Sequence, residues 1–293
     1  MPSKYVPNLR RFLPFRVYPR TFGIELIINR PDWFAVSYPK SGRTWINLLL
    51  SKYFANITGF ETKDTNLLLD FPRLGALLPS QLPSLTFTHG SPNPLIENPD
   101  QLKSTHPSFD NKHVILFLRD PRDVLISSYF ERTKRNSFSA RTHWPEFSGT
   151  IMDFIEQPYG GLETVLAFFR HWEAQRHRTR EHHIFYYEDF INNTSVELAR
   201  LVAALKAPVV KRHILNAIDF AEFENMRRLE SSLSTNSEKL RPGDKSDPDS
   251  FKTRRGKVGG YLKYLTKEQI VQLNARLSEC QELSLLGYPN ETR

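Results

Sequence analysis

Residues Trp33 to Ile57 read WFAVSYPKSGRTWINLLLSKYFANI. The first part, Trp33 to Tyr38, is short, apolar and aromatic, with no room for a helical period, and reads as a buried strand that Pro39 ends. From Thr44 onward Ile46, Leu49, Leu50, Tyr53, Phe54 and Ile57 recur at three- and four-residue spacing, which predicts a helix with one face on a core. Between them lies the turn PKSGRT, carrying Lys40, Gly42 and the hydroxyls of Ser41 and Thr44. Such a turn aims backbone N–H groups and the positive end of a helix dipole at one point, where a phosphate or sulfate binds well. Lys40 adds a point charge. The turn is not the P-loop of nucleoside triphosphatases, because Lys40 precedes Gly42 and the first glycine of that motif is missing. Taken by itself, it also fits an ordinary strand-to-helix turn with a solvated lysine.

The chain around this stretch has 293 residues, 39% of them hydrophobic, enough for one large α/β domain. Residues 1–30 are basic and broken by prolines, and read as an N-terminal arm; they hold no apolar segment long enough for a signal peptide or a membrane span. Cys280 is the single cysteine, which excludes an internal disulfide and a cysteine-based zinc site and points to a reducing, cytoplasmic setting. Lys and Arg total 40 against 32 Asp and Glu, giving +8, a balance that suits an anionic ligand. A nucleic-acid partner is not expected, because the charges are spread rather than gathered in a stripe with aromatics.

Leu85 to His89 is short, apolar and bounded by Pro83 and a GSPNP turn, so it reads as a second strand with His89 at its carboxyl end. In open parallel α/β sheets ligands bind beyond that end of the strands, which singles His89 out from the nine histidines. Val114 to Leu118 is a fully apolar run, the pattern of a central strand. It runs into RDPRDVLISSYFERTKR, where Asp120 or Asp123 serves the start of a helix with Pro121 in its first turn. Arg119 and Ser127 stand about two turns apart and could meet around one anion; the same residues equally suit an Arg119–Asp123 ion pair and a packed serine. Ile184 to Tyr187 reads as a further strand. Helices are expected from Gly160, from Thr194 with a Thr194/Glu197 capping box, over much of Val209 to Met226, and from Thr266 to about Leu286 with a Thr266/Gln269 capping box. Ser231 to Ser250 is polar and poor in apolar residues, so the span 231–252 reads as a mobile loop.

The order Pro39, Lys40, Ser41, Gly42, then Thr44 and Trp45 resembles the 5′-phosphosulfate loop of the cytosolic-type sulfotransferases, enzymes that use 3′-phosphoadenosine 5′-phosphosulfate (PAPS). Arg119 and Ser127 match, at the same spacing, the residues with which that family holds the 3′-phosphate. FYYEDF resembles the strand whose tyrosine contacts adenine, which maps to Tyr187. FAEFENMRRLE resembles the segment that stacks adenine against the loop tryptophan, implying Phe223 opposite Trp45. KTRRGKVGG is similar to the Arg-Lys-Gly signature over the 3′-phosphate, with Arg254, Arg255 and Gly256 in the matching places. The resemblance runs from about Trp33 to Thr266.

It implies a P-loop-like, three-layer α/β fold with a mostly parallel central sheet flanked by helices, formed by residues 31–293 as one sulfotransferase domain. It implies PAPS as cofactor, adenosine 3′,5′-bisphosphate as product, no metal, and a small-molecule hydroxyl, less readily an amine, as acceptor. His89 becomes the general base, with an unperturbed pKa near ~6.5 that suits the task. Lys40 becomes the cation on the leaving phosphate, with Ser41, Gly42, Arg43, Thr44 and Trp45 completing the loop. Five places depart from the family pattern. Phe87 stands where animal members carry a lysine, Ala221 where a hydroxyl is common, and Gly260 and Tyr261 where Asp and Trp are usual; Arg43, in place of a common threonine, could restore part of the missing charge. A kinase-like enzyme and a non-catalytic binder of adenosine bisphosphate are the other readings. A monomer and a homodimer are both compatible with the sequence.

Overall fold

The structure, a computed structural model, describes residues 15–20, 23–28, 32–62, 64–79, 82–90, 107–135, 147–232, 240–254 and 256–288. Strands β1 (Phe15–Arg20) and β2 (Gly23–Ile28) pair antiparallel. β3 (Asp32–Ser37) leads through the PKSG turn into α1 (Arg43–Thr58), and the short α2 (Thr65–Leu68) and α3 (Phe71–Leu77) precede β4 (Ser84–Thr88). β5 (His113–Leu118) runs into α4 (Pro121–Lys134), and α5 (Ile151–Glu156) and α6 (Leu162–Arg176) lead to β6 (Glu181–Tyr186). α7 (Tyr187–Asn192), α8 (Thr194–Ala204), α9 (Lys211–Phe220), α10 (Phe223–Ser232), α11 (Lys267–Ser278) and α12 (Gln281–Leu285) follow.

Strands β3 to β6 form one sheet in the order β4-β3-β5-β6, and every pairing is parallel. Parallel neighbours require crossovers, which helices supply, and so both faces are covered. The apolar run of β5 shows how. Ile115 and Phe117 join Trp33, Ala35 and Phe185 in a core closed by Ile46, Leu50 and Phe54 of α1 and Leu201 of α8. The alternate residues Val114, Leu116 and Leu118 join Val36 in a second core closed by Leu125 of α4, Phe169 of α6 and Leu273 of α11. The result is the three-layer α/β fold that the family resemblance implies.

Several element ends differ from the sequence reading, each for a local reason. Asn193, not Thr194, caps α8: its side chain accepts from Val196 N, while the Thr194 hydroxyl donates to Phe190 O of the preceding turn. The helix expected over Val209 to Met226 breaks between Phe220 and Phe223, and the last helix breaks at Glu279–Cys280. The Thr266/Gln269 capping box forms as read. Tyr187 opens α7 rather than ending β6. Of the polar stretch 231–252, residues 233–239 lie outside the described ones. Leu240 is fully buried, Arg241 O accepts from Arg135 Nη2, and Gly243 N donates to Ser250 O.

His182 on β6 gives the fold a pH limit. Among the described residues neither of its ring nitrogens has a hydrogen-bond partner, and burial, helped by the nearby charges of Arg176, His183 and His177, lowers its pKa to about 4. The imidazole is therefore neutral in the fold and takes a proton below about pH 6.5 once unfolded. Stability is full above that pH and is lost as pH falls toward 4, by about 3 kcal/mol in all. Denaturant titrations across pH 7 to 4 should show this slope in the native protein and a flatter one in His182→Leu; equal slopes would locate the acid sensitivity elsewhere.

Candidate active site

The four parallel strands end on one edge, and each ending carries a residue that the sequence reading selected. Lys40 follows β3 by three residues, His89 follows β4 directly, Arg119 follows β5 and Tyr187 follows β6. β3 lies between β4 and β5, so the Lys40 turn sits between His89 and Arg119.

The turn is shaped by two left-handed residues, Lys40 with φ 73° and Gly42 with φ 82°. Ser41 is buried, and its N–H donates to Tyr38 O. Gly42 ends the turn as the N-cap of α1 without any side-chain cap, leaving first-turn N–H groups for another acceptor. Only glycine fits there: besides its positive φ, a Cβ would stand 2.6 Å from Tyr187 Cδ2. The Tyr187 ring thus lies beneath the turn, with the Arg119 guanidinium 4.3 Å from its centroid. Arg119 Nη1 donates to Lys40 O at 2.9 Å and Nη2 lies 3.5 Å from Asp123 Oδ2, so the ion pair with Asp123 is present. Its Nε is buried without a hydrogen-bond partner among the described residues. Ser127 is half-buried on α4.

His89 Nδ1 is 2.9 Å from Ser37 O. A carbonyl only accepts, so Nδ1 carries the hydrogen and the lone pair is on Nε2, the tautomer that a general base needs. Phe87, two residues earlier, packs edge-on against Phe71 at 6.3 Å on the α1 side of the sheet.

Lys40 Nζ donates to Glu131 of α4, which also accepts from Arg135 Nη1 at 2.8 Å. Burial pushes the Lys40 pKa down, opposed by Glu131 and reinforced by Arg135. Burial alone would raise Glu131, but Lys40, Arg135 and Lys252 outweigh it and hold that carboxyl at about 2. Lys252 is driven well below its usual range by burial together with Arg135 and Lys40. This cationic cluster around one carboxylate was not visible in the sequence, where Glu131 and Arg135 have the spacing of a solvated helix pair.

The adenine-side residues converge as well. Trp45 Nε1 donates to Ala221 O at 2.9 Å, so a backbone carbonyl meets the indole at the place where the family's hydroxyl is missing. Phe223 packs on Gly256, whose φ is 61° and where a Cβ would stand 2.7 Å from Phe223 Cδ2, so a side chain is again excluded. Arg254 lies over the Phe130 ring at 4.3 Å and donates to Tyr264 OH at 2.8 Å. Arg255 lies outside the described residues. Asp123 accepts from Gly259 N and Tyr261 N at 3.0 Å each and so ties the segment after Gly256 to α4. Buried Glu230 accepts from Lys252 N, Thr253 N and the Thr253 hydroxyl. Among the described residues no group of three His, Cys, Asp or Glu side chains is placed to hold a metal ion.

The family model for the sulfotransferase domain matches residues 30–284. The chain belongs to the sulfotransferase family. Mouse sulfotransferase 1 family member D1 is 26% identical over 201 residues, 67% of this chain and 65% of that protein. The amine sulfotransferase of Oryctolagus cuniculus is 26% identical, covering 83% of this chain and 78% of its own. The 3-alpha-hydroxysteroid sulfotransferase of Cavia porcellus is 25% identical, covering 90% and 87%. Mouse sulfotransferase SULT7A1, solved in complex with PAP, superposes with a TM-score of 0.52 at 19% identity, covering 87% of this chain and 86% of that one. Retinol dehydratase, solved with androsterone and PAP, gives 0.53 at 20% identity, covering 89% and 84%. These likenesses agree on the fold.

In this sulfotransferase the donors suit a nucleotide with several anionic groups. The uncapped turn, Lys40, the unpartnered Arg119 Nε and the surplus of cations around Glu131 offer charge and N–H groups, and Trp45, Phe223 and Gly256 offer flat apolar surface. Tyr261, in the sulfotransferase position where Trp is usual, is buried, with Arg122 4.5 Å from its ring centroid. Gly260 sits where a Cβ would stand 3.3 Å from Asp123 Oδ1.

Proposed function

We propose that this sulfotransferase moves a sulfuryl group from PAPS to the hydroxyl of a small molecule, and less readily to an amine. PAPS supplies the activated group. His89 takes the acceptor's proton at Nε2 as the new S–O bond forms, and Lys40 stabilises the charge left on the phosphate oxygen as the old S–O bond breaks. Ser41 to Thr44 hold the 5′ end through the turn. Arg119, Ser127, Arg254 and Arg255 hold the 3′-phosphate, and Trp45 and Phe223 sandwich the adenine, with Tyr187 supporting the turn from below. Residues 31–293 act as one domain, and the enzyme works in the cytoplasm. The observation that carries the reading is the meeting of Lys40, His89 and Arg119 at three neighbouring strand ends.

The relatives include an amine sulfotransferase and a 3-alpha-hydroxysteroid sulfotransferase, which supports both nucleophiles, with the hydroxyl first. The test is incubation with sulfur-labelled PAPS and a panel of phenols, alcohols, hydroxysteroids and amines. Label should appear on a hydroxyl with matching release of adenosine 3′,5′-bisphosphate. Cofactor binding without transfer to any acceptor would favour a non-catalytic binder instead.

A further inference from the structure

We propose that Glu131 is an exchangeable counter-ion for Lys40: it holds the ammonium until an anionic group of the ligand takes it over, and it keeps Arg135 as its own partner throughout. The proposal rests on the cofactor reading above and adds a positioning residue to it.

The geometry makes the exchange cheap. Glu131 Oε2 accepts from both Lys40 Nζ and Arg135 Nη1. A buried carboxylate stripped of its sole cation is strongly destabilised, whereas this one retains a guanidinium when the ammonium leaves. Arg135 does not follow, because its Nη2 is held by Arg241 O at 2.6 Å. The Lys40 backbone is equally fixed, through its carbonyl to Arg119 and its left-handed φ. The moving part is the flexible four-carbon stem of Lys40.

Charge favours the same exchange. Arg135 and Arg254 repel the Lys40 ammonium while Glu131 attracts it, and Lys252 bears on the same carboxylate. Glu131 also stands one helical turn beyond Ser127 on α4, on the side of the helix that meets the turn. A phosphate or phosphosulfate arriving at the turn therefore competes with Glu131 for Lys40. Glu131 weakens the binding of whatever anion occupies the 5′ position and returns the lysine to its place when that anion departs.

The variant Glu131→Gln keeps the side-chain shape and removes the charge. Calorimetric titration should show adenosine 3′,5′-bisphosphate binding about tenfold tighter than to the native protein, with adenosine 3′-monophosphate, which lacks the 5′ group, unchanged. A carboxylate that merely supports the fold would weaken both ligands together. Equal or weaker bisphosphate binding by Glu131→Gln overturns the proposal. Should Gln fail to fold, Glu131→Asp, which draws the charge back by one methylene, is expected to tighten bisphosphate binding by a smaller factor, and no tightening there is equally fatal. Inorganic pyrophosphate separates this idea from the cofactor reading. If neither protein binds the nucleotides but pyrophosphate binds the Gln variant more tightly, the exchange stands and the cofactor reading falls; if pyrophosphate does not tighten, the exchange falls.

Discussion

Replacing His89 with alanine should lower sulfuryl transfer by about 10³-fold, the range of a lost general base, while leaving the affinity for adenosine 3′,5′-bisphosphate essentially unchanged. The separation follows from position. His89 follows β4, whereas the groups proposed to bind the phosphates are placed on the β3 turn, after β5 and in the segment around Arg254. Its Nδ1–H donates to Ser37 O, a bond that orients the ring without holding the turn in place, since Arg119 donates to Lys40 O and Ser41 N donates to Tyr38 O. Steady-state rates with labelled PAPS, beside calorimetry on the same samples, read both quantities. Loss of bisphosphate binding along with transfer would make His89 a structural residue.

Replacing Lys40 with methionine should cost about 10² to 10³ in transfer rate, the size of effect seen when one preorganised charge or donor is removed from a developing anion, and should weaken bisphosphate binding as well. Methionine keeps the apolar stem that crosses the buried interior. Glu131 keeps Arg135 as a partner, so the variant is expected to fold. In contrast to His89, the effect falls on ground-state binding and on the reaction together, because in the proposed mechanism Lys40 faces the 5′ phosphate before and after the sulfuryl group leaves. A Lys40→Met enzyme within threefold of the native rate would remove the lysine from the mechanism.

The parts legible in the sequence were those governed by local pattern. β3, β4, β5 and β6 each showed as a short apolar run, and α1 as a 3.6-residue period, so the strand ends that carry Lys40, His89 and Arg119 could be located before any contact was known. What escaped was set by contacts distant in sequence. The break between α9 and α10 coincides with the carbonyl of Ala221 reaching Trp45, 176 residues earlier. Buried Glu230 serves a backbone turn 22 residues ahead, which no spacing rule announces. Glu131 and Arg135 had the pattern of a surface pair and became charged groups of the interior because α4 packs its loop-facing side onto the Lys40 turn. Thr194 and Glu197 carried a capping-box pattern, but Asn193 stood one residue nearer the preceding helix and took the role. For Phe87, the sequence showed a missing charge; the structure adds where the side chain goes, into the apolar core beside Phe71.

In the proposed site the turn, Arg119 and the Arg254 segment together read a nucleotide bearing both a 5′ and a 3′ anionic group. Calorimetric titration of the native protein with adenosine 3′,5′-bisphosphate, against adenosine 5′-monophosphate and adenosine triphosphate, with and without magnesium, tests it directly. Binding should need the 3′-phosphate and be indifferent to magnesium. Preference for the triphosphate with magnesium, or no binding of the bisphosphate, would contradict it.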